Sequence, residues 1–147
     1  MSFTSTAAVL DSIKARIEAL TPSTQLNADD RFYVLIDPPN SDVTYESRAV
    51  FLSAYAAVPD HPSKVCNQWS SQITLDVAYG FQPSDEGQPT TTQTALRDAE
   101  DILADLLLWT TTTDGILGIY PEMGVIAPSG NGFLSCSRIF RVEFQRG

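Results

Sequence analysis

The chain has few of the parts from which catalytic centres are built. It contains one histidine, His61, in "PDHPSK", and two cysteines, Cys66 and Cys136. His61 and Cys66 could form a base and thiol, but no third group is in sequence reach to orient them, and an activated thiol needs an organised shell. Structural zinc sites draw on closely spaced ligand pairs. Here the cysteines stand 70 positions apart (136 − 66), and there is no CxxC. The glycines of "GILGIYPEMG" make neither GxGxxG nor GxxxxGK[ST], so no phosphate cradle is expected. Asp29, Asp30 and Asp37 lack the spacing of a calcium loop. Asp98, Glu100, Asp101 and Asp105 share a helix without a Glu-x-x-His pattern, and read as a solvated face. The expectation is a protein that is not an enzyme, with no cofactor and no metal.

Other absences narrow the setting. No run of about 18 apolar residues is present, so no membrane-spanning helix is expected. The start, "MSFTSTAAVLDSIKAR", lacks a basic segment followed by an apolar block, and does not read as a secretion signal. Two cysteines without a wider framework are expected to stay reduced and unbridged. Basic residues are scarce: nine Lys and Arg stand against 18 Asp and Glu, a formal charge of −9. Such a chain is repelled by phosphate backbones and by anionic membranes. Arg138, Arg141 and Arg146 form the densest basic group, too sparse for nucleic-acid readout.

What remains is a well-patterned globular chain. Its 147 residues, 43% of them hydrophobic, fit one domain able to bury its own core. In "WSSQITLDVAYGF", residues 69 to 81, Trp69, Ser71, Ile73, Leu75, Val77, Tyr79 and Phe81 share one parity. Ser70, Gln72, Thr74, Asp76, Ala78 and Gly80 share the other. That is a strand with one apolar face. Residues 133 to 145 alternate likewise, with Leu134, Cys136, Phe140, Val142 and Phe144 facing in. Ser135, Ser137, Arg141 and Glu143 face out. Arg138 and Ile139 interrupt the pattern, so a bulge or a two-sided position is expected there. Shorter strands are expected at 31 to 37, at 46 to 58 and near Met123 to Ala127.

Two helices complete the set. The first covers residues 5 to 20, with Leu10, Ile13, Ile17 and Leu20 at helical spacing. Thr21-Pro22 ends it. The second covers about 91 to 109, opened by the capping-box spacing of Thr90 to Gln93. Leu96, Ala99, Ile102, Leu103, Leu106 and Leu107 make its apolar stripe. Arg97, Asp98, Glu100, Asp101 and Asp105 stay outside, with Arg97 and Asp101 spaced so that they can pair. The order implies an α+β two-layer sandwich: a mostly antiparallel sheet of about four to five strands packed with two main helices. Gln82 to Thr92 and Thr111 to Gly132 are expected to be mobile until a partner covers them. The second segment carries Ile116, Leu117, Ile119, Tyr120 and Met123, which are subunit-interface candidates.

This layout resembles the tail terminator proteins of long-tailed bacteriophages. The likeness rests on "AAVLDSIKARIEAL", then "QWSSQITLDVAYGF", the helix "TALRDAEDILADLLLW", and the closing strand "LSCSRIFRVEFQR". It spans essentially the whole chain. It implies a homo-hexameric ring that caps the tail tube and joins it to the head-completion (neck) protein. Its place would be the tail neck of the virion, after assembly in the host cytoplasm. The family has no catalytic residues to transfer, and its interface residues follow no motif. An acidic channel wall would let DNA pass without specific binding. Asp85 and Glu86 are the expected channel-lining residues, with Asp76. Two other readings stay open. One is another neck or head–tail joining protein. The other is a small cytosolic ligand- or protein-binding α+β domain.

Overall fold

The computed structural model describes residues 2–24, 31–38, 47–61, 66–81, 90–129 and 132–147. Asp85, Glu86 and most of the 82 to 92 connection lie outside the described residues.

Helix α1 spans Thr6–Glu18. The Ser5 hydroxyl accepts from the Ala8 N–H at 3.3 Å and so closes its first turn. Val9, Leu10, Ile13 and Ile17 are its buried residues. Helix α2 spans Thr91–Thr112. The Thr90 hydroxyl accepts from Gln93 N–H at 3.2 Å, and the Gln93 side-chain oxygen accepts from Thr90 N–H at 2.9 Å. That reciprocal pair is the capping box foreseen from the spacing. The helix continues past Trp109, and there the Thr110, Thr111 and Thr112 hydroxyls donate to the carbonyls of Leu107, Leu108 and Trp109. A threonine that bonds back to its own helix needs no turn to satisfy it.

Among the described residues the sheet has six strands: β1 (Tyr33–Leu35), β2 (Ala49–Ala54), β3 (Val58–Pro59), β4 (Gln68–Gly80), β5 (Ile116–Ser129) and β6 (Phe133–Gln145). The order is β1-β2-β4-β6-β5, with β3 also on β4. All pairs are antiparallel except β1 with β2. The fold is therefore the expected α+β layering with one strand more than four to five. The extra strand arises within 46 to 58. From Ala54 to Val58 the chain advances 4 residues while its β4 partners, Ile73 and Ser70, differ by 3. One surplus residue splits the line into β2 and β3.

The sandwich is filled from two sides. The odd residues Ser71, Ile73, Leu75, Val77 and Tyr79 of β4 are buried, as are Leu134, Cys136, Phe140, Val142 and Phe144 of β6. All of these but Ser71 meet Val9, Ile13 and Ile17 of α1 and Ala95, Ala99, Ile102 and Leu106 of α2 in one core. α1 packs over β1 and β2, and α2 over β4, β6 and β5. β6 keeps unbroken register with β4 through Arg138 and Ile139, so no bulge lies there. The shifts lie on β5, at Leu117 and Glu122.

β5 is the largest departure from expectation. It runs 14 residues, against the short strand expected at Met123 to Ala127. Thr111 to Gly132 is thus mainly the end of α2 and a long β-ladder, not an irregular segment. Pro121 and Pro128 hid the strand in the sequence. A proline fits the outermost strand wherever the missing N–H would point away from the sheet, and β5 is outermost. Its glycines accept side chains laid flat on the backbone. A Cβ on Gly118 would meet the Tyr120 ring at under 3.0 Å (Oη at 2.7 Å), and one on Gly124 would meet Arg138 Cδ at 3.3 Å.

Candidate functional site

The open surface of β5 is the most unusual part of the molecule. From Tyr120 to Pro128 every residue is exposed save half-buried Ile126. Tyr120, Met123 and Val125 stand opposite Arg141, Ile139 and Ser137 of β6, on the sheet face away from the helices. They are 43%, 58% and 50% exposed, and Leu117, squeezed out by the first bulge, is 44% exposed. Large apolar side chains set side by side on a rim mark a contact surface more often than isolated ones do. Of the interface candidates, Leu117, Tyr120 and Met123 belong to this surface. Ile116 and Ile119 do not: they face Phe144 and Val142 and are buried in the subunit's own core, each 5% exposed. Val125 belongs with the three exposed residues but was not foreseen.

Polar pairs line the same face. Arg141 lies over the Tyr120 ring at 4.7 Å and donates to Glu143 at 2.8 Å. Gln72 donates to Glu122 at 3.0 Å across two strands. Asp76 is half-buried here and accepts from the Ser137 hydroxyl. It sits among sheet neighbours, and no second carboxylate joins it in a metal-binding group among the described residues.

On the helix side, a cleft lies between α2 and the β5 rim, lined by Leu75, Ala99, Ile102, Leu103, Leu106, Pro121, Arg138, Ile139 and Phe140. Its volume of about 10 Å³ is no more than one water needs. A small-molecule pocket is usually several hundred Å³. This cleft is a surface groove and does not hold a ligand of that size. Leu103 is half-buried on its wall, and Leu96 and Leu107 are exposed beside it. The buried stripe of α2 is rotated from the expected one: Thr94, Ala95, Asp98, Ala99, Ile102, Leu106 and Trp109 point in.

No family model and no curated protein matches this chain.

Asp98 explains the rotation. Placed outside by its charge, it is fully buried, as is Arg48 at 1% exposed. Arg48 Nε donates to Asp98 at 2.7 Å, and the Tyr79 hydroxyl donates to the same carboxylate at 2.7 Å. A second Arg48 nitrogen reaches the other Asp98 oxygen at 3.3 Å and the Thr24 carbonyl. Burial, and then the neighbouring Asp98 charge, push the Tyr79 hydroxyl far above its ordinary range, so it stays protonated as a donor. Arg48 holds a left-handed backbone, φ 68°, a conformation uncommon for a side chain of this size. Arg97 and Asp101 do not pair. Arg97 donates to the Thr24 hydroxyl at 2.9 Å, and Asp101 accepts from Ser23 at 2.7 Å. The triad has no nucleophile and no open face, and joins sheet to helix.

The remaining candidates carry no chemistry together. His61 is exposed. The Cys66 thiol engages the backbone of Gln68, at 3.3 Å and 3.4 Å. Cys136 is opposite Val77, nine strand positions (77 − 68) or roughly 30 Å from the start of β4, and Cys66 precedes that start. Both cysteines are free. Burial pushes the Cys136 thiol up. Iodoacetamide is expected to label Cys66 in the native protein and Cys136 only after denaturation, with two thiols titrating without reductant. Equal native labelling rates would show that the core around Cys136 is open. Among the described residues no helix is long and apolar enough to cross a membrane.

Proposed function

We propose that this protein is a non-enzymatic ring-forming structural subunit, a tail terminator that caps a phage tail tube and joins it to the neck proteins. The observation that carries the reading is the β5 rim: Leu117, Tyr120, Met123 and Val125 exposed side by side in a chain with a net charge of −9. Strong like charge opposes association. An apolar rim kept despite it fits a surface meant to be covered.

Ring closure follows from head-to-tail contact between identical subunits. The sheet has two different ends, three-residue β1 and fourteen-residue β5, so opposite sides of one subunit offer unlike surfaces. Six copies would carry a formal charge of −54 (6 × −9). A channel with that surplus repels a DNA backbone, as a conduit requires. Asp76, Asp85 and Glu86 are the proposed contributors to its wall. The partners are the tail tube protein and the head-completion protein, and the site of action is the virion neck.

Native mass spectrometry and electron microscopy of the protein with tail tubes test this. A six-membered ring seated on tube ends is expected. A chain that stays monomeric beside tubes would overturn the reading. A ring with a basic channel would keep the assembly and remove the conduit argument.

A further inference from the structure

Arg138 has no hydrogen bond or ion pair to any described residue. It is half-buried all the same. Its side chain lies flat along Gly124 and lines the groove with Ala99, Leu103, Leu106, Pro121 and Phe140. A guanidinium held among apolar groups is partly desolvated, and it interacts most favourably with a carboxylate brought to it. In a chain with 18 carboxylates and nine cations, a cation held in this way is positioned for something outside the subunit.

We infer that the groove between α2 and β5 is the docking site for helix α1 of a neighbouring copy of this chain, with Arg138 pairing to a carboxylate on the exposed face of that helix. The exposed face of α1 supplies the complement. Ala7, Asp11, Ala15 and Glu18 are all exposed and fall at helical spacing on one side. Asp11 and Glu18 have no hydrogen bond or ion pair within the described residues. The two alanines let a groove wall approach closely, and Asp11 and Glu18, about two turns apart, each offer the charge that Arg138 lacks. Position favours the same pairing. α1 covers the β1–β2 side of the sheet, whereas α2 covers the β6–β5 side, so groove and complement lie at opposite ends of the helical layer. One copy's α1 reaches the next copy's groove without using either surface twice. That is the unlike, head-to-tail contact from which a ring is made. The contact rests on the ring reading above, and it names the residues on both sides.

Charge reversal tests it in the full chain. Arg138→Glu is expected to raise the subunit concentration at half assembly by roughly 30-fold or more, and D11R/E18R by a similar factor. Combining all three changes is expected to restore assembly in large part, because the charges are complementary again. Native mass spectrometry reads the ring, and circular dichroism checks that each variant is folded. Should Arg138→Glu misfold, Arg138→Gln tests the groove side, and D11R/E18R changes only exposed positions. If the unaltered chain forms rings and either folded single-side variant assembles equally well, the contact is overturned while the ring stands. If the unaltered chain stays monomeric beside tail tubes, the ring reading fails and this contact with it.

Discussion

Asp98→Ala is expected to lose about 3–5 kcal/mol of stability, a large share of the 5–15 kcal/mol typical of a domain. The reason is what it leaves behind. Arg48 is 1% exposed and Asp98 not at all. Without the carboxylate, a guanidinium stays in the core stripped of that opposing charge, and the Tyr79 hydroxyl loses its acceptor. Tyr79→Phe removes one bond to a charged group and is expected to cost less, about 1.5–3 kcal/mol. Replacing both charges, as in Arg48→Met with Asp98→Leu, should recover much of the loss. The methionine would still inherit the φ of 68° that Arg48 adopts. Urea unfolding followed by tryptophan fluorescence measures all three variants against the parent chain. A loss below about 1 kcal/mol for Asp98→Ala would show that the pair is hydrated and not a core element. The triad also sets an alkaline limit. Tyr79 is raised from its ordinary 10.0 by burial. The folded state therefore keeps a proton that the unfolded chain gives up, so this contribution is complete below about pH 10 and falls as pH rises further. Tyr79→Phe should flatten that decline.

Leu75→Asp is expected to abolish cooperative folding. Leu75 is 1% exposed at the centre of β4, between β2 and β6 and under α2. A carboxylate there has no partner, and burying it costs several kcal/mol on top of the lost packing. Leu103→Asp is the instructive contrast. Both leucines belong to apolar stripes in the sequence, yet Leu103 is half-buried on the groove wall near Arg138. An aspartate there can reach water or the guanidinium, and a loss of about 2 kcal/mol or less is expected. Thermal melts by circular dichroism compare the two. A cooperative melt for Leu75→Asp, or none for Leu103→Asp, would reverse the burial assigned to these positions.

That contrast shows where the sequence is informative. β4 and β6 were legible because strict alternation has one physical cause, a sheet with a single buried face. The α2 cap was legible because two donors and two acceptors must stand three residues apart. Asp98 was not legible. Charge placed it outside, and its partners Arg48 and Tyr79 lie 50 and 19 positions away. β5 was hidden for a different reason. Its bulges break the period of two, and its prolines are tolerated because no strand among the described residues lies beyond it. Of the rim, Leu117, Tyr120 and Met123 could be picked out as apolar and unassigned. Ile116 and Ile119 looked the same until register placed them on the helix side. Arg138 stood out only as a break in alternation, because its lack of an ion pair among the described residues is a fact of three dimensions.

The prolines and bulges of β5 bear on how copies of this protein meet in a crowded cell. A long bare strand invites any extended chain to add itself through backbone hydrogen bonds, and such growth has no natural stopping point. Pro121 and Pro128 remove two donors from the outer edge, and the kinks at Leu117 and Glu122 interrupt the straight run a new strand would need. This edge is therefore a poor template for backbone-paired, fibril-like growth. On the ring reading, contacts at the rim would fall to side chains, which recognise one shape and one charge pattern.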